Sequence, residues 1–361
     1  MSGVRGWGRA LLLALVRMWY RRAPRPAPPV GETSAVRKVL VIRTDPRVGN
    51  VLLTTPLVRA LRRGLPRTRI DWLVAEGKQG LVEGLADRLL PFRKKDLFQA
   101  PWRFWRFVRR LRAERYDVVV EAGHWHAFSF TSAWLARATS APVRIGHERG
   151  ESDRFLTHPV PHDPSIEREV PAKLELLRPL GIAPCGEELE TTVDRDEAVR
   201  ARAEAIVAGL GRVVAINPGA RKADHRWPPE AFGELAGRLA QELAVAPLVT
   251  WGPGEEAIAG RAAAASRGAA QMAPATDLAV LAAVFRRCAL VITNDTGPMH
   301  LAVATGAPVI AALLAEDGAR WSHTGRFVGI PVSGAVDPAD ITKIVAAARE
   351  LLRASGADLT A

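Results

Sequence analysis

Short runs of apolar, mostly β-branched residues alternate along the chain with longer stretches in which apolar and polar positions mix. Such runs occupy residues 38–43, 70–75 and 116–121 in the first half and residues 213–217, 248–251 and 290–293 in the second. Continuous apolar runs of this length are typical of parallel strands buried on both faces. The pattern therefore predicts an α/β fold of doubly wound sheets, in which ligands bind at the carboxyl ends of the strands.

The chain has 361 residues, which is enough for two domains that each bury a core. The predicted elements divide into an N-terminal domain at residues 36–182 and a C-terminal domain at residues 190–335. Residues 1–35 form an arm before them. Residues 336–361 supply a last helix, expected to pack back across the domains, and a tail.

The arm combines apolar and basic residues. Residues 7–22 read WGRALLLALVRMWYRR, in which the uninterrupted apolar run is much shorter than the roughly 20 residues that cross a bilayer. A short helix lying in the headgroup region of an anionic inner membrane is expected, and a helix docked on the protein itself is the alternative. Residues 23–30 (APRPAPPV) read as a proline-rich tether.

Charge and cysteine content limit the kinds of partner and metal site that we expect. The net charge is +12, and residues 1–38 supply seven of these charges. No nucleic-acid-binding motif accompanies the charge, so the expected partners are an anionic membrane surface and a phosphorylated substrate rather than nucleic acid. The two cysteines have no metal-ligand spacing, which indicates a cytoplasmic protein without a metal site.

A second basic segment lies at residues 102–112 (WRFWRFVRRLR). Its periodicity predicts a helix with two adjoining apolar faces, one of Trp105, Val108 and Leu111 and one of Phe104, Phe107 and Leu111, with the arginines on the other side. An ordinary crossover helix with a solvated face explains this pattern. Alternatively, the basic face joins the arm in holding the protein peripherally on the inner membrane.

The turn that carries the most candidate ligand-binding groups follows the predicted strand at residues 290–293. The string NDTGPMH leads into a helix, so backbone N–H groups and the positive end of the helix dipole point beyond the strand, where phosphate commonly binds. Asp295 can accept from sugar hydroxyls and His300 can donate to a phosphate oxygen. In the alternative interpretation Thr296 caps the helix and Asp295 satisfies the turn.

Four ordered motifs resemble glycosyltransferase family 9, the heptosyltransferases of lipopolysaccharide synthesis. Residues 289–309 match (S/T)-N-D-(S/T)-G-x-x-H-(L/I)-A-x-A-x-G-x-P, and the strings IRTDPRVGNVLLTTP, NPGA and HRWPPEAF match the other three. The resemblance covers about residues 38–335. It implies the GT-B architecture of two facing Rossmann-like domains and inverting transfer without a metal ion or cofactor. It also implies a nucleotide-sugar donor, usually ADP-heptose, and a lipid-linked glycan acceptor.

The resemblance also assigns residues to the donor. It implies that the second domain binds the nucleotide-sugar through Asn217, Gly219, Lys222, His225, Arg226, Trp227, Gly252, Glu255, Glu256, Asp295, Thr296, Gly297, Pro298 and His300. The family acid that binds the ribose falls on either Glu255 or Glu256. His225 stands where the family has a phosphate-binding lysine, so a full positive charge there depends on Lys222 and Arg226.

The acceptor side departs from the family at its catalytic position. Asn50 follows Gly49 where the family has the aspartate that deprotonates the acceptor hydroxyl, and an amide cannot take that proton. Asn50 either positions substrate or caps a helix. Asp45 is the first candidate for a replacement base, followed by the strand-end residues Glu121 and His124. A non-catalytic homologue that binds nucleotide-sugar or lipid-linked glycan is the alternative function.

Overall fold

The computed structural model describes residues 33–314 and 316–357, which form two α/β domains. The first domain has six parallel strands in the order β3-β2-β1-β4-β5-β6. The strands are β1 (Lys38–Arg43), β2 (Arg69–Ala75), β3 (Arg88–Phe92), β4 (Val118–Glu121), β5 (Val143–His147) and β6 (His158–Val160). The helices are α1 (Val48–Leu52), α2 (Thr55–Gly64), α3 (Asp96–Gln99), α4 (Pro101–Ala113), α5 (Phe130–Ala138) and α6 (Glu169–Leu174).

The second domain repeats this topology, with parallel strands in the order β12-β11-β10-β7-β8-β9. The strands are β7 (Val213–Asn217), β8 (Ala246–Val249), β9 (Gln271–Met272), β10 (Leu290–Asn294), β11 (Val309–Leu313) and β12 (Phe327–Pro331). The helices are α7 (Glu197–Val207), α8 (Pro229–Leu243), α9 (Glu256–Ala265), α10 (Leu278–Arg287), α11 (Gly297–Ala304) and α12 (Pro338–Ala357). The predicted doubly wound α/β fold is confirmed.

Strand β1 shows why these runs are continuously apolar. Val39 and Val41 pack into one hydrophobic cluster and Leu40 and Ile42 into another, because successive side chains point to opposite faces of the sheet. Helices cover both faces, so every position of β1 after the half-buried Lys38 is buried. Strands β1 and β7 pair with β4 and β10, and the chain reverses direction across the sheet at these two places. Ligands of this fold bind outside the strand ends at such positions.

The segment after β1 differs from the expectation of one helix. Helix α1 ends at Leu52 and α2 begins at Thr55, with Pro56 in its first turn. The hydroxyls of Thr54 and Thr55 donate to the Asn50 and Leu52 carbonyls, which terminates the first helix. Helix α1 begins at Val48, so Asn50 lies inside it, and the helix-cap interpretation of Asn50 was wrong.

Three further expectations need correction. In α4 the buried residues are Phe104, Val108 and Leu111, which come from both predicted apolar faces, whereas Trp105 at the margin is 54% exposed. Helix α12 packs its apolar residues into the core of the second domain, and not across both domains as expected. Residues 190–192, placed at the start of the second domain, hydrogen-bond to the first, as when Thr191 donates to the Leu81 carbonyl at 2.8 Å.

The arm at residues 1–32 lies outside the described residues. Among the helices in the described ranges, none is both long enough and apolar enough to cross a bilayer.

A candidate active site where the two strand-to-helix turns meet

The turn after β1 and the first turn of α11 pack directly against each other. A Cβ atom added to Gly49 would lie 2.2 Å from Cδ2 of His300, far inside van der Waals contact. One added to Gly297 would lie 3.7 Å from Cβ of Val48. Position 49 therefore requires glycine for close approach, and the two switch points of the fold face each other across this contact.

On the donor side, Glu255 reaches the turn after β7. Its Oε2 accepts a hydrogen bond from the Gly252 backbone N–H at 3.1 Å, and a Cβ on Gly219 would lie 2.1 Å from the same oxygen. Glu256, by contrast, starts α9 and is exposed. The structure therefore places Glu255 at the rim of the site, and the ribose-binding role stays a prediction.

Two buried asparagines hold the donor-side turns together. Asn217 donates to the Thr250 carbonyl at 3.2 Å. Asn294, at the end of β10, accepts from the Trp227 backbone N–H at 2.9 Å and donates to the Pro218 carbonyl at 3.0 Å. Sequence reasoning quoted Asn294 without giving it a role. The available signal was an amide directly after an apolar strand run, because an amide buried at a strand end needs partners from neighbouring loops.

Trp227 and the basic loop occupy different environments. The Trp227 indole is fully buried and donates to the Ala335 carbonyl at 3.2 Å, so this side chain packs and has no free polar group for a ligand. Arg226 Nε donates to the Ala220 carbonyl at 3.1 Å, which ties the arginine to the NPGA turn. His225 is half-buried and Lys222 exposed beside it.

The start of α11 does not use a side-chain cap. Thr296 occupies the cap position without a capping hydrogen bond, so that alternative was wrong, and its hydroxyl instead donates to the Asn294 carbonyl at 3.4 Å. Asp295, Gly297 and Pro298 are half-buried at this rim. Pro298 fits the first helical turn, where a missing N–H costs nothing.

His300 lies deeper than expected. Its ring is buried between Gly49 and His323, with Nδ1 of His300 2.9 Å from Nε2 of His323. Burial lowers the pKa of both rings, that of His323 to about 4, so both are neutral at pH 7 and one nitrogen of the pair donates to the other. Contact of His300 with a phosphate stays a prediction.

On the acceptor side, Asp45 and Asn50 lie at the same turn. Asp45 Oδ1 accepts a hydrogen bond from the Arg47 backbone N–H at 2.9 Å, which stabilises the turn. Burial alone would raise the pKa of Asp45, but that hydrogen bond and the charge of Arg43 lower it below its ordinary value. The Asn50 side chain also helps to lower it, although its Nδ2 forms no hydrogen bond of normal geometry with any described residue.

Behind this turn lies a buried group of charged and polar side chains. Arg43 Nη2 is 2.6 Å from Nε2 of His124, whose Nδ1 is 2.5 Å from Oε1 of Glu169. Lys173 Nζ donates to the same Glu169 oxygen at 2.6 Å. Separately, Arg149 donates to Glu121 at 2.7 Å. His124 and Glu121 are therefore both bonded within the protein, and contact with an acceptor stays a prediction for each.

Sequence reasoning missed Glu169 and Lys173. They lie four residues apart on α6, far along the chain from the motifs, and only the fold brings them to the end of β4. A glutamate–lysine pair at this spacing usually lies on a solvated helix face, so the sequence signal was ambiguous.

The chain matches a known protein family. The sequence profile of "Glycosyltransferase family 9 (heptosyltransferase)" matches residues 104–325, which is more than half of the chain. The protein belongs to glycosyltransferase family 9.

Two similar curated family 9 sequences are lipopolysaccharide heptosyltransferase 3 of Escherichia coli and heptosyltransferase 1 of Pseudomonas aeruginosa. The first is 27% identical over 76% of this chain and 82% of its own length, and the second 27% identical over 76% and 78%. Among solved structures, a family 9 glycosyltransferase from Veillonella parvula aligns with a TM-score of 0.71 at 21% identity, over 90% of this chain and 99% of its own. An Escherichia coli heptosyltransferase with ADP gives 0.70 at 22% identity, over 87% and 99%. These structures support the GT-B fold.

Within residues 33–314 and 316–357 of this family 9 chain, no group of three or more His, Cys, Asp or Glu side chains could hold a metal ion. Metal-independent transfer stays a prediction.

The contact between Gly49 and His300 can be tested by adding a methyl group. We expect Gly49→Ala to lower the free energy of unfolding by about 1–3 kcal/mol, because the Cβ overlaps the histidine ring. His300→Ala in the same chain should recover part of the loss. Urea unfolding measures both, with Gly80→Ala as the control since no atom lies within 4 Å of its added Cβ. Equal effects at positions 49 and 80 would contradict the close contact.

Buried histidines predict a loss of stability in mild acid. Burial lowers the pKa of His124 to about 3 and of His147 to about 2, from 6.5. The unfolded chain therefore takes up protons as the pH falls below 6.5, while these folded rings do not, and the stability present above pH 6.5 is lost towards pH 4. His147→Leu should reduce the dependence of the unfolding free energy on pH by about 1.4 kcal/mol per pH unit, because it removes one ring that takes up a proton only in the unfolded chain. Neither nitrogen of this ring has a partner among the described residues. Urea unfolding between pH 4 and 7 measures the slope, and an unchanged slope would refute the assignment.

Proposed function

We propose that this protein transfers a heptose from ADP-heptose to a lipopolysaccharide or related envelope glycan acceptor, with inversion and without a metal ion or other cofactor. Family 9 membership and the names of its curated relatives support this activity. The observation that carries it is the contact between the acceptor-side turn at Gly49 and the donor-side helix at His300. A donor on α11 and an acceptor at Asn50 would meet at this contact, with little reorganisation of the two domains.

The donor-side groups suit a nucleotide diphosphate. The α11 N-terminus offers backbone N–H groups and a positive dipole to the departing diphosphate. Lys222 and Arg226 supply positive charges beside His225. Glu255 is placed to accept hydrogen bonds from the ribose hydroxyls.

On the acceptor side, binding of the hydroxyl and removal of its proton are assigned to different residues. We assign Asn50 to holding the acceptor hydroxyl through its amide, and Asp45 to taking the proton. The hydroxyl oxygen then attacks the anomeric carbon, the bond from that carbon to the diphosphate breaks, and ADP leaves. The lowered pKa of Asp45 keeps it ionised at pH 7, so it can accept a proton, although a weak base gives slow transfer.

The alternative is a homologue that binds ADP-heptose without transferring it. Asn50 favours it, because the position that supplies the base elsewhere in the family holds an amide that cannot be protonated at neutral pH.

Replacing the two acceptor-side residues distinguishes these functions. We expect Asp45→Asn to lower kcat by about 10²- to 10⁴-fold with ADP affinity unchanged, since it removes only the base. Release of ADP in the presence of acceptor measures kcat, and calorimetry measures ADP binding. Asp337→Asn is a matched control in the other domain, because Asp337 also accepts from the backbone N–H two residues on, at 2.8 Å.

Each other outcome has a distinct meaning. Activity that appears only in Asn50→Asp would identify the native protein as the non-catalytic homologue. Full activity in Asp45→Asn would exclude Asp45 as the base. Neither transfer nor ADP binding by any variant would contradict the nucleotide-sugar function.

We also propose that the protein lies on the cytoplasmic face of an anionic membrane. Three large hydrophobic side chains on α3 and α4 are exposed: Phe98 by 57%, Trp102 by 65% and Trp105 by 54%. Exposed cations surround them, namely Lys94, Lys95, Arg103, Arg106, Arg109, Arg110 and Arg112. Aromatic side chains suit the headgroup depth of a bilayer and the cations suit its anionic lipids, so this surface would bring the first domain close to a lipid-linked acceptor.

Vesicle flotation tests this surface. We expect the native chain to float with vesicles that contain anionic lipid, and not with purely zwitterionic ones. Changing Arg103, Arg106 and Arg110 to Glu should weaken binding by at least about tenfold, as each basic residue near the surface contributes on the order of 1 kcal/mol. Changing the exposed Arg195, Arg200 and Arg353 to Glu gives the same charge change elsewhere. Equal losses in both triple variants would mean that total charge, and not this surface, determines binding.

A further inference from the structure

A line of hydrogen bonds leads from the Asn50 backbone into the interior of the first domain. Arg43 Nε donates to the Asn50 carbonyl at 3.3 Å, and Arg43 Nη2 is 2.6 Å from His124 Nε2. His124 Nδ1 is in turn 2.5 Å from Glu169. These three side chains are buried, although all three residue types usually lie at the surface or on its margin.

The chemistry of the two ends sets the direction of every bond. A guanidinium has only donors, so His124 Nε2 must be the acceptor from Arg43. An ionised carboxylate has only acceptors, so His124 Nδ1 must carry the proton that is donated to Glu169. His124 is therefore neutral and in a single tautomer. Burial lowers its pKa to about 3, which keeps it in this form.

Lys173 fixes the far end of the line. Its ammonium donates to Glu169 at 2.6 Å and to the Ala122 and Gly123 carbonyls at 3.3 and 3.2 Å, just beyond the end of β4. Burial alone would raise the pKa of Glu169, but the Lys173 charge and the bond from His124 lower it below its ordinary value. The carboxylate stays ionised, as the tautomer of His124 requires.

Buried ionic groups of this kind often stabilise a fold no more than apolar side chains of the same volume would. The line ends at the backbone of Asn50, which occupies the family's catalytic position but carries an amide in place of the aspartate. We propose that Arg43, His124 and Glu169 are positioning residues that hold the Asn50 carbonyl, and so aim the Asn50 amide at the acceptor hydroxyl. This inference rests on the proposed transfer function. It assigns His124 to a role through Arg43 and not to contact with the acceptor.

Kinetics and ADP binding together test this role. We expect His124→Phe, which offers neither donor nor acceptor, to lower kcat by about 10- to 100-fold, because small displacements of a reacting group are costly. ADP affinity should stay within twofold, since the donor binds to the other domain. His124→Gln, whose amide offers one acceptor and one donor, should recover most of the rate.

His147→Leu is the matched control, because His147 is also buried, lies at the end of the next strand and makes no side-chain hydrogen bond to a described residue. It should leave kcat unchanged. An unchanged kcat in folded His124→Phe would overturn the proposal. So would a loss of ADP affinity that matches the loss of rate, because that result indicates general disruption of the fold.

Nitrogen-15 NMR of the native chain gives a test that needs no variant. We expect His124 to show a protonated Nδ1 and an unprotonated Nε2 at pH 7. The opposite tautomer or a charged ring would overturn the proposed line of hydrogen bonds. This readout also separates the two proposals. If the native chain neither transfers heptose nor binds ADP, the proposed function fails, while the tautomer still reports whether the line of hydrogen bonds exists.

Discussion

The contact of Gly49 with His300 sets the geometry on which the rest of the site depends. It joins two turns that come from separate sheets, each at the position where the strand order of its own domain reverses. Helix N-termini and free strand ends collect at such positions because the flanking helices diverge there. With no side chain at position 49, the histidine ring reaches the backbone, and the turn after β1 packs directly on the first turn of α11.

The two sides of this contact are organised by different polar chemistry. On the donor side, the neutral amides of Asn217 and Asn294 link adjacent loops through backbone groups. These particular links between loops use no charged side chain. On the acceptor side, the turn is held by charged groups, with Arg43 between Asn50 and His124. A change of protonation within that group would disturb the turn directly.

Asn50 and His225 both depart from the family, but their surroundings differ. Asn50 is buried, next to an ionised carboxylate and on a backbone held by Arg43, so its environment is fixed tightly. His225 is half-buried in a loop with Arg226 and Lys222 beside it, where a missing charge is readily replaced. Under the proposed transfer function, the departure at Asn50 therefore bears on the chemistry more directly than the one at His225.

The sequence by itself determined the doubly wound fold and half of the strands, namely β1, β2, β4, β7, β8 and β10, because a strand buried on both faces must be continuously apolar and must end in a polar turn. It also determined the places of the Asn50 and Asp295 turns and the family to which they belong. It could not determine the break between α1 and α2 or the exposed face of α4, which depend on local hydrogen bonds and on packing partners. Only the tertiary structure brought Glu169 and Lys173 to His124, bonded Asn294 to both ends of the loop after β7 and set His300 against Gly49. Each of these contacts joins residues far apart in the chain, and nothing local in the sequence specifies which of them will be neighbours.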